Sequence, residues 1–474
     1  MITLNATKLG QRSQNKKRTT RKKRDHIRRQ RAKAARIKAR KARHRQKHKQ
    51  KQMTHGLMVI FARYIIARVK LRELVSGIPG KKKCNSKFSF VDMIVGLVAL
   101  MAFGLPRVYD VAKYKEQRLL ANALQMDRMF SHDTVYRFLK KFALLTICRH
   151  LQKANSKMIR EILANQEQII VDGDWSTLRS YQNSKDGSVK GYNKLRPGRP
   201  CYQANVYFAN ELYIKADVLA GNEVPLDSLS LFTDLEEVRR LCGRIDWIRL
   251  DAGYISWLNL QRLDSFSCQG YSRQKAKFIV NVGSGTIGAK EAIRLSRFRA
   301  WQKVKRGVEI QEFQSMQVYK DYDRKHRLIL VHRYFEQEKC WKYYALVTND
   351  TTMTALQLYR FYHQRQCIEN FFDDAKNSYF IEHLPSQKLL GNSLYFNIMC
   401  LAFNLLVLFR YEILRKKDHW IQLRTLQKNY FLLELLWNGQ VFSISRHMAD
   451  YRVLLMIFRR LKKLGIPLKY RLYG

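Results

Sequence analysis

The sequence predicts an α/β protein built on a mixed sheet, with a β-strand insertion, a preceding helical segment and a basic tail. Three observations point there. Apolar residues repeat at helical spacing from Met53 to about Ala164, and the period switches to two at Gln168. Two of the apolar strands that follow, in EQIIVDGDW and DWIRLD, run into aspartates. A last strand, YYALVTND, leads into an amphipathic helical stretch, YHQRQCIENFFDDAK, from Tyr362 to Lys376.

A chain of 474 residues has room for a large core and several domains, and 46% hydrophobic residues predict that most of it folds. Lys and Arg total 89 against 38 acidic residues, a formal charge of +51. That excess goes beyond the needs of solubility and points to a polyanionic partner, nucleic acid ahead of an anionic membrane surface. Cysteines 84, 148, 201, 242, 268, 340, 367 and 400 form no CxxC pair, and no His cluster has zinc-ligand spacing. A reducing cytoplasm and no structural metal are therefore expected. The basic N-terminus has no apolar core behind it, so no signal peptide is expected. The run from Met93 to Leu105 is too short to span a bilayer, and Asn392, Asn397 and Asn404 interrupt the run from Leu389 to Phe409. Both read as buried helices.

In chain order, residues 1–52 form a low-complexity basic tail that cannot bury enough surface to offset its ordering entropy. It is expected to be disordered and to add non-specific DNA affinity, unless translation naturally begins at Met53. Residues 53–165 read as a helical DNA-binding domain. Within it SHDTVYRFLKKFAL starts at Ser131 as N-cap and places Val135, Phe138, Leu139 and Phe142 on one face. Preceded by KEQRLLANALQMDRM, it makes a candidate helix-turn-helix.

Residues 166–267 and 346–415 read as the core. Three strands, the helix DSLSLFTDLEEVRRLCG, the strand DWIRLD and further helices follow the order of the ribonuclease H-like fold. Strand ends are where open α/β sheets place ligands. Residues 268–345 read as a β-rich insertion, and 416–474 as a C-terminal segment with two basic amphipathic helices.

The stretch from Tyr362 to Lys376 carries Tyr362, Arg365, Glu369 and Lys376 at steps of three, four and seven. On an ideal helix these share an arc of roughly 60°. Phe361, Ile368, Phe371, Phe372 and Ala375 fill the adjoining arc. A carboxylate flanked by a guanidinium, an ammonium and a phenol suits a cation and phosphate oxygens. A solvated face with intrahelical ion pairs is the bland alternative.

This pattern resembles, without a gap, the Tyr-x2-Arg-x3-Glu-x6-Lys signature of bacterial insertion-sequence transposases of the DDE cut-and-paste group. WIRLDAGY resembles the group's second catalytic strand and IIVDGDWSTL its first. The resemblance runs from about Ile169 to Arg410 and implies catalytic, metal-holding carboxylates Asp174, Asp251 and Glu369, with Asp172 the alternative to Asp174. Both aspartates point to one face of the strand, so alternation leaves the choice open. It also implies Mg²⁺, with Mn²⁺ as substitute, and a family β-strand insertion before the signature helix.

Phosphodiester cleavage needs an activated oxygen and a neutralised leaving group, and two ions about 4 Å apart on three carboxylates supply both. Tyr362, Arg365 and Lys376, with Arg196 and Arg199 in KLRPGRP, are the phosphate contacts expected. In KCWKYYALVTND, Trp341 and Tyr343 alternate with Tyr344, and Trp341 or Tyr344 is the candidate for stacking a displaced base. The expected partner is double-stranded DNA, the element's terminal inverted repeats and the target, bound by a dimer in the cytoplasm at the nucleoid. The rivals are a ribonuclease H-like nuclease without strand transfer and a non-enzymatic basic nucleic-acid-binding protein. No Gly-rich phosphate loop is present, so nucleotide triphosphates are not indicated.

Overall fold

The computed structural model describes residues 53–80, 86–105, 107–180, 184–193, 196–223, 228–270, 273–379, 381–419, 421–437, 441–448 and 451–473. The basic tail at 1–52 lies outside the described residues. The rest divides into two compact units. The larger comprises 56–433 with 455–467, and the smaller draws on 53–55, 434–454 and 468–473.

After a short strand, β1 (Met53–His55), the described residues form the α-helices α1 (Gly56–Ala67), α2 (Leu71–Ser76), α3 (Phe90–Ala102), α4 (Arg118–Ala123), α5 (His132–Lys141) and α6 (Leu145–Ala164), with a 3₁₀ helix at Val108–Tyr114. Ser89 and Asp92 close a capping box at the start of α3, which is buried from Met93 onward. The Ser131 side chain caps α5, and Val135, Phe138 and Leu139 are its buried face. Tyr136, Arg137, Lys140 and Lys141 stay exposed. The helix preceding α5 is only six residues long, shorter than the periodicity of 115–129 suggests.

The large sheet follows. Its first half contains β2 (Ile170–Arg179), β3 (Val189–Lys190), β4 (Pro200–Ala209), β5 (Leu212–Ala220), α7 (Ser228–Cys242), β6 (Trp247–Leu250), α8 (Trp257–Ser265) and β7 (Lys277–Asn281). Then come α9 (Ile287–Ser296), β8 (Gln302–Lys305), β9 (Val308–Tyr319), β10 (Tyr322–Phe335) and β11 (Cys340–Thr348). The strand order is β3-β4-β2-β6-β7-β11-β10-β9-β8, with β5 also on β4. Strands β2, β4 and β5 form an antiparallel meander, and β6 and β7 lie parallel to β2. This is the ribonuclease H-like topology. The stretch expected as an insertion builds no sheet of its own. β11 pairs antiparallel with β7, and β10, β9 and β8 continue outward from it, so the polar edge of β7 is satisfied rather than left open.

Helices α10 (Ala355–His363), α11 (Gln366–Asn377) and α12 (Leu389–Ile413) come next. α12 is long and apolar enough to cross a membrane by length and composition, and 89% of its apolar window is buried inside the protein. Its asparagines have structural work. β5 carries a bulge where Tyr207 pairs with Lys215 and Phe208 with Tyr213. Asn404 accepts from the Tyr213 N–H and donates to its carbonyl, and Asn155 donates to that carbonyl as well. Asn397 accepts from the Tyr213 hydroxyl and donates to the Ala216 carbonyl. Backbone groups on the outer edge of β5, which pairs with β4 alone, are thereby satisfied.

The last segment is not purely helical. Helix α13 (Leu423–Leu426) runs into a π turn at Gln427–Phe431, and β12 (Glu434–Trp437), β13 (Val441–Ser445), α14 (Tyr451–Lys463) and β14 (Lys469–Tyr473) follow. In the smaller unit, the order β1-β12-β13-β14 makes a four-stranded sheet. Two apolar runs flanking Asn438-Gly439 were the hairpin signal that a helical reading of this segment overlooks.

Candidate active site

Asp174, midway along β2, and Asp251, just past the end of β6, lie in neighbouring register. Gly173 pairs with Leu250 across the parallel ladder, so Asp174 and Asp251 are the next residues in line. Adjacent strands lie about 4.8 Å apart. Gly173, between Asp172 and Asp174, faces the opposite side, where a Cβ would come within 2.7 Å of the Leu250 side chain and 3.0 Å of the Tyr207 ring and would require them to shift. Asp251 follows β6 at the start of a 3₁₀ turn, Ala252–Tyr254, and its Oδ1 lies 3.5 Å from the Asn281 side-chain amide at the end of β7.

The stretch expected as one helix is two. At Gln364 and Arg365 the backbone tightens: Arg365 N–H donates to the Tyr362 carbonyl and Ile368 N–H to the Arg365 carbonyl, three residues apart rather than four. The joint aims Arg365 inward. Its guanidinium donates to the Gly173 carbonyl at 3.4 Å, and lies 3.7 Å from Asp174 and 3.5 Å from Glu369. Glu369 itself is open, its side chain 59% exposed. Tyr362, expected on the polar stripe, is buried, and its hydroxyl lies 3.4 Å from the Leu250 carbonyl, one residue before Asp251. Lys376 is partly buried, its ammonium 5.8 Å from the centre of the Phe372 ring.

The electrostatics record how close these groups are. Burial pushes the Asp174 carboxyl up to about 6; Arg365 opposes the shift, and the charges of Asp251 and Glu369 add to it. The Arg365 guanidinium is held more firmly protonated: burial works against the charge, but Asp174, Tyr362, Asp251 and Glu369 outweigh it. Three carboxylates from two adjacent strands and a helix thus converge around one buried guanidinium.

Asp172 is placed differently. Its carboxylate accepts two hydrogen bonds from Arg249, and it is 1% exposed. Arg196 and Arg199 are exposed in the turn between β3 and β4, which meets the far end of β2 near Arg179. Five residues of strand separate that end from Asp174, about 17 Å. Trp341 is 44% exposed and stacked on His332 at 4.3 Å between ring centres, and Tyr343 stacks on the same imidazole. Tyr344 points to the other face, where its hydroxyl is 3.0 Å from His363 Nε2.

Sequence reasoning missed Arg249, Asn281 and a buried network behind the site. In that network Tyr254 donates to Asn205, Asn205 donates to Asp234, and Lys215 donates to Asp234 with Asp217 at 3.0 Å. The signal was present in each case: a charged or amide residue inside an apolar strand, as in WIRLD, IKAD and IVNV.

The donor set suits a hard divalent cation, since it is all carboxylate, and burial, with the charges of Asp251 and Glu369 added, raises Asp174, which a cation would relieve. Among the described residues no three such side chains stand at metal-holding spacing, and Arg365 lies between two of the carboxylates.

A ribonuclease H-like sheet with an acidic cluster on two adjacent core strands is the framework of an enzyme acting on nucleic acid. The chain belongs to the transposase DDE domain family, group 1, whose model matches residues 53–464. Its class is that of DNA transposition and recombination enzymes, which use divalent metal. No curated protein matches the chain. Among solved structures it is similar to the piggyBac transposase synaptic complex with hairpin DNA, at 12% identity over 80% of this chain and 79% of that one, TM-score 0.40. It is also similar to the Mos1 transposase paired-end complex with left transposon end, at 14% identity over 39% and 59%, TM-score 0.15. The Mos1 mariner paired-end complex with Mn matches at 15% identity over 41% and 62%, TM-score 0.16. Nothing further rests on these distant similarities.

Proposed function

We propose that this protein binds the ends of its mobile element, hydrolyses phosphodiester bonds there and transfers 3′-OH ends to target DNA. Asp174, Asp251 and Glu369 are the catalytic carboxylates. The observation that carries this reading is the convergence of Asp174, Asp251 and Glu369 around buried Arg365. The same three residues would hold Mg²⁺, or Mn²⁺, which supplies Lewis acidity to the attacking and leaving oxygens.

Arg365 balances the negative charge of the cluster and, with Glu369, faces an approaching phosphate. Tyr362, buried with its hydroxyl toward the Leu250 carbonyl, acts as a positioning residue for the backbone before Asp251 rather than as a phosphate contact. Lys376 lies two turns beyond Glu369 and extends the cationic track along α11, and Arg196 and Arg199 contact DNA further out. Trp341 is the residue that stacks a displaced base, since its ring, though stacked on His332, is 44% exposed, whereas that of Tyr344 is packed between the sheet and α10. The protein works as a dimer on double-stranded DNA in the cytoplasm at the nucleoid.

A supercoiled plasmid carrying the element ends, incubated with Mg²⁺, tests cutting. An oligonucleotide carrying the terminal repeats tests joining. Asp251→Asn and Glu369→Gln are expected to lose activity by several kcal/mol of transition-state stabilisation while DNA binding persists. Activity within tenfold of wild type in either variant overturns the assignment. Cutting without joining returns the protein to a nuclease, and binding without cutting to a DNA-binding protein.

A further inference from the structure

Phe298 is 81% exposed, the most exposed large apolar side chain among the described residues. It lies in the turn between α9 and β8, with Arg297 and Arg299 on either side. The segment holds six basic residues, Arg294, Arg297, Arg299, Lys303, Lys305 and Arg306, and no carboxylate occurs between Glu291 and Glu309. Lysines on an edge strand such as β8 are accounted for by protection against strand pairing. That protection does not call for a bare phenyl ring ahead of the strand.

The turn is tied down on both sides of the ring. Buried Gln311 on β9 donates to the Ser296 carbonyl at 3.2 Å and the Arg299 carbonyl at 2.8 Å. Arg299 donates to the Glu312 carbonyl at 3.3 Å, and its guanidinium lies 4.8 Å from the centre of the Phe313 ring. Phe298 N–H donates to the Leu295 carbonyl at 3.1 Å. The ring is therefore held outward by a braced backbone.

Its position relative to the carboxylates follows from the sheet register. Glu312 pairs with Ile329, Ile329 with Leu346, and Leu346 with Asn281, whose amide reaches Asp251. The row that runs through Glu312, whose carbonyl Arg299 reaches, thus ends at Asp251, four strand spacings or about 19 Å away, whereas the turn itself packs through Gln311 and Phe313 on the other face of the sheet.

We propose that this turn contacts duplex DNA flanking the scissile bond, with Phe298 inserted as a wedge between base pairs and the surrounding cations on the phosphates. Apolar wedges beside cationic side chains are a recurring way to unstack and kink a duplex. The inference rests on the reading of this protein as a DNA-acting enzyme.

The test uses full-length protein and element-end duplexes with 2-aminopurine placed at successive steps from the cleavage site. Wild type is expected to raise the fluorescence at one step of the flanking duplex, and Phe298→Ala to abolish that rise. Arg297→Ala/Lys303→Ala/Lys305→Ala is expected to weaken duplex binding at least fivefold and to flatten the salt dependence. No duplex binding by wild type overturns the DNA-acting reading itself. Binding with no fluorescent step, or with a step that survives Phe298→Ala, overturns the wedge. Undiminished affinity in the triple variant overturns the contact surface.

Discussion

Asp172 and Arg249 face each other on neighbouring parallel strands and join through two hydrogen bonds of 2.6 and 2.7 Å, both side chains nearly out of solvent. Arg249 spends its remaining reach on the Phe361 carbonyl at 2.6 Å, which ties the sheet to α10. The pair accounts for one aspartate of β2 and leaves Asp174 beside Asp251 and Glu369. Asp172→Asn is expected to destabilise the protein by about 3–5 kcal/mol, because Arg249 is left buried without its counter-charge. The double variant Asp172→Leu/Arg249→Met is expected to recover most of that loss. Urea denaturation measures both. Asp174→Asn is expected to remove activity without loss of stability, since it relieves a crowded charge.

The two faces of β11 predict different outcomes for its aromatic residues. Trp341→Ala removes an exposed ring stacked on His332 and is expected to cost about 1 kcal/mol, while impairing the handling of a displaced base. Tyr344→Ala removes a ring packed between sheet and α10 and its contact with His363, and is expected to cost about 3–5 kcal/mol. Denaturation curves paired with separate assays of first-strand nicking and end processing decide. Equal stability losses in the two variants would show that the faces are not distinct.

His363 makes stability depend on pH. Burial, and then the charges of Arg333, Lys305 and Arg365, lower its imidazole from the usual range to about 4. Between about pH 6.5 and 4 the unfolded chain takes up a proton that the folded chain refuses, so stability is present above that window and lost as pH falls through it. The ring's Nε2 lies 3.0 Å from the Tyr344 hydroxyl. His363→Gln keeps a polar partner there without a titrating group, so its melting temperature should fall less than that of wild type between pH 7 and 4. Parallel melting profiles would remove His363 from the account.

The basic tail is open to test without any structure. Deleting residues 1–52 is expected to lower affinity for every DNA and to flatten the salt dependence, leaving sequence preference unchanged. Binding assays at two salt concentrations, on element ends and on unrelated duplex, measure all three. A preference that disappears with the tail would place sequence reading within it.

Much of the architecture is legible in local pattern. The switch to a period of two marks β2, the apolar run before Asp251 marks β6, and Ser131 marks the start of α5. The spacing of Arg365 and Glu369 also survives, because one turn of helix keeps them adjacent. Periodicity specifies which face a residue occupies, but not what waits on that face. Asp172 and Asp174 share a side of one strand, and their fates part only because Arg249, 77 residues later, enters from the neighbouring strand. Tyr362 and Glu369 share a stripe in an ideal helix, yet one is buried and the other open because the backbone tightens at Arg365. The same holds for β8 to β11, whose strand character is local but whose place at the flank of the main sheet is set by pairing with β7. Element type follows from neighbours in the chain, whereas partners depend on register and packing between segments far apart, and those exist only once the chain has closed on itself.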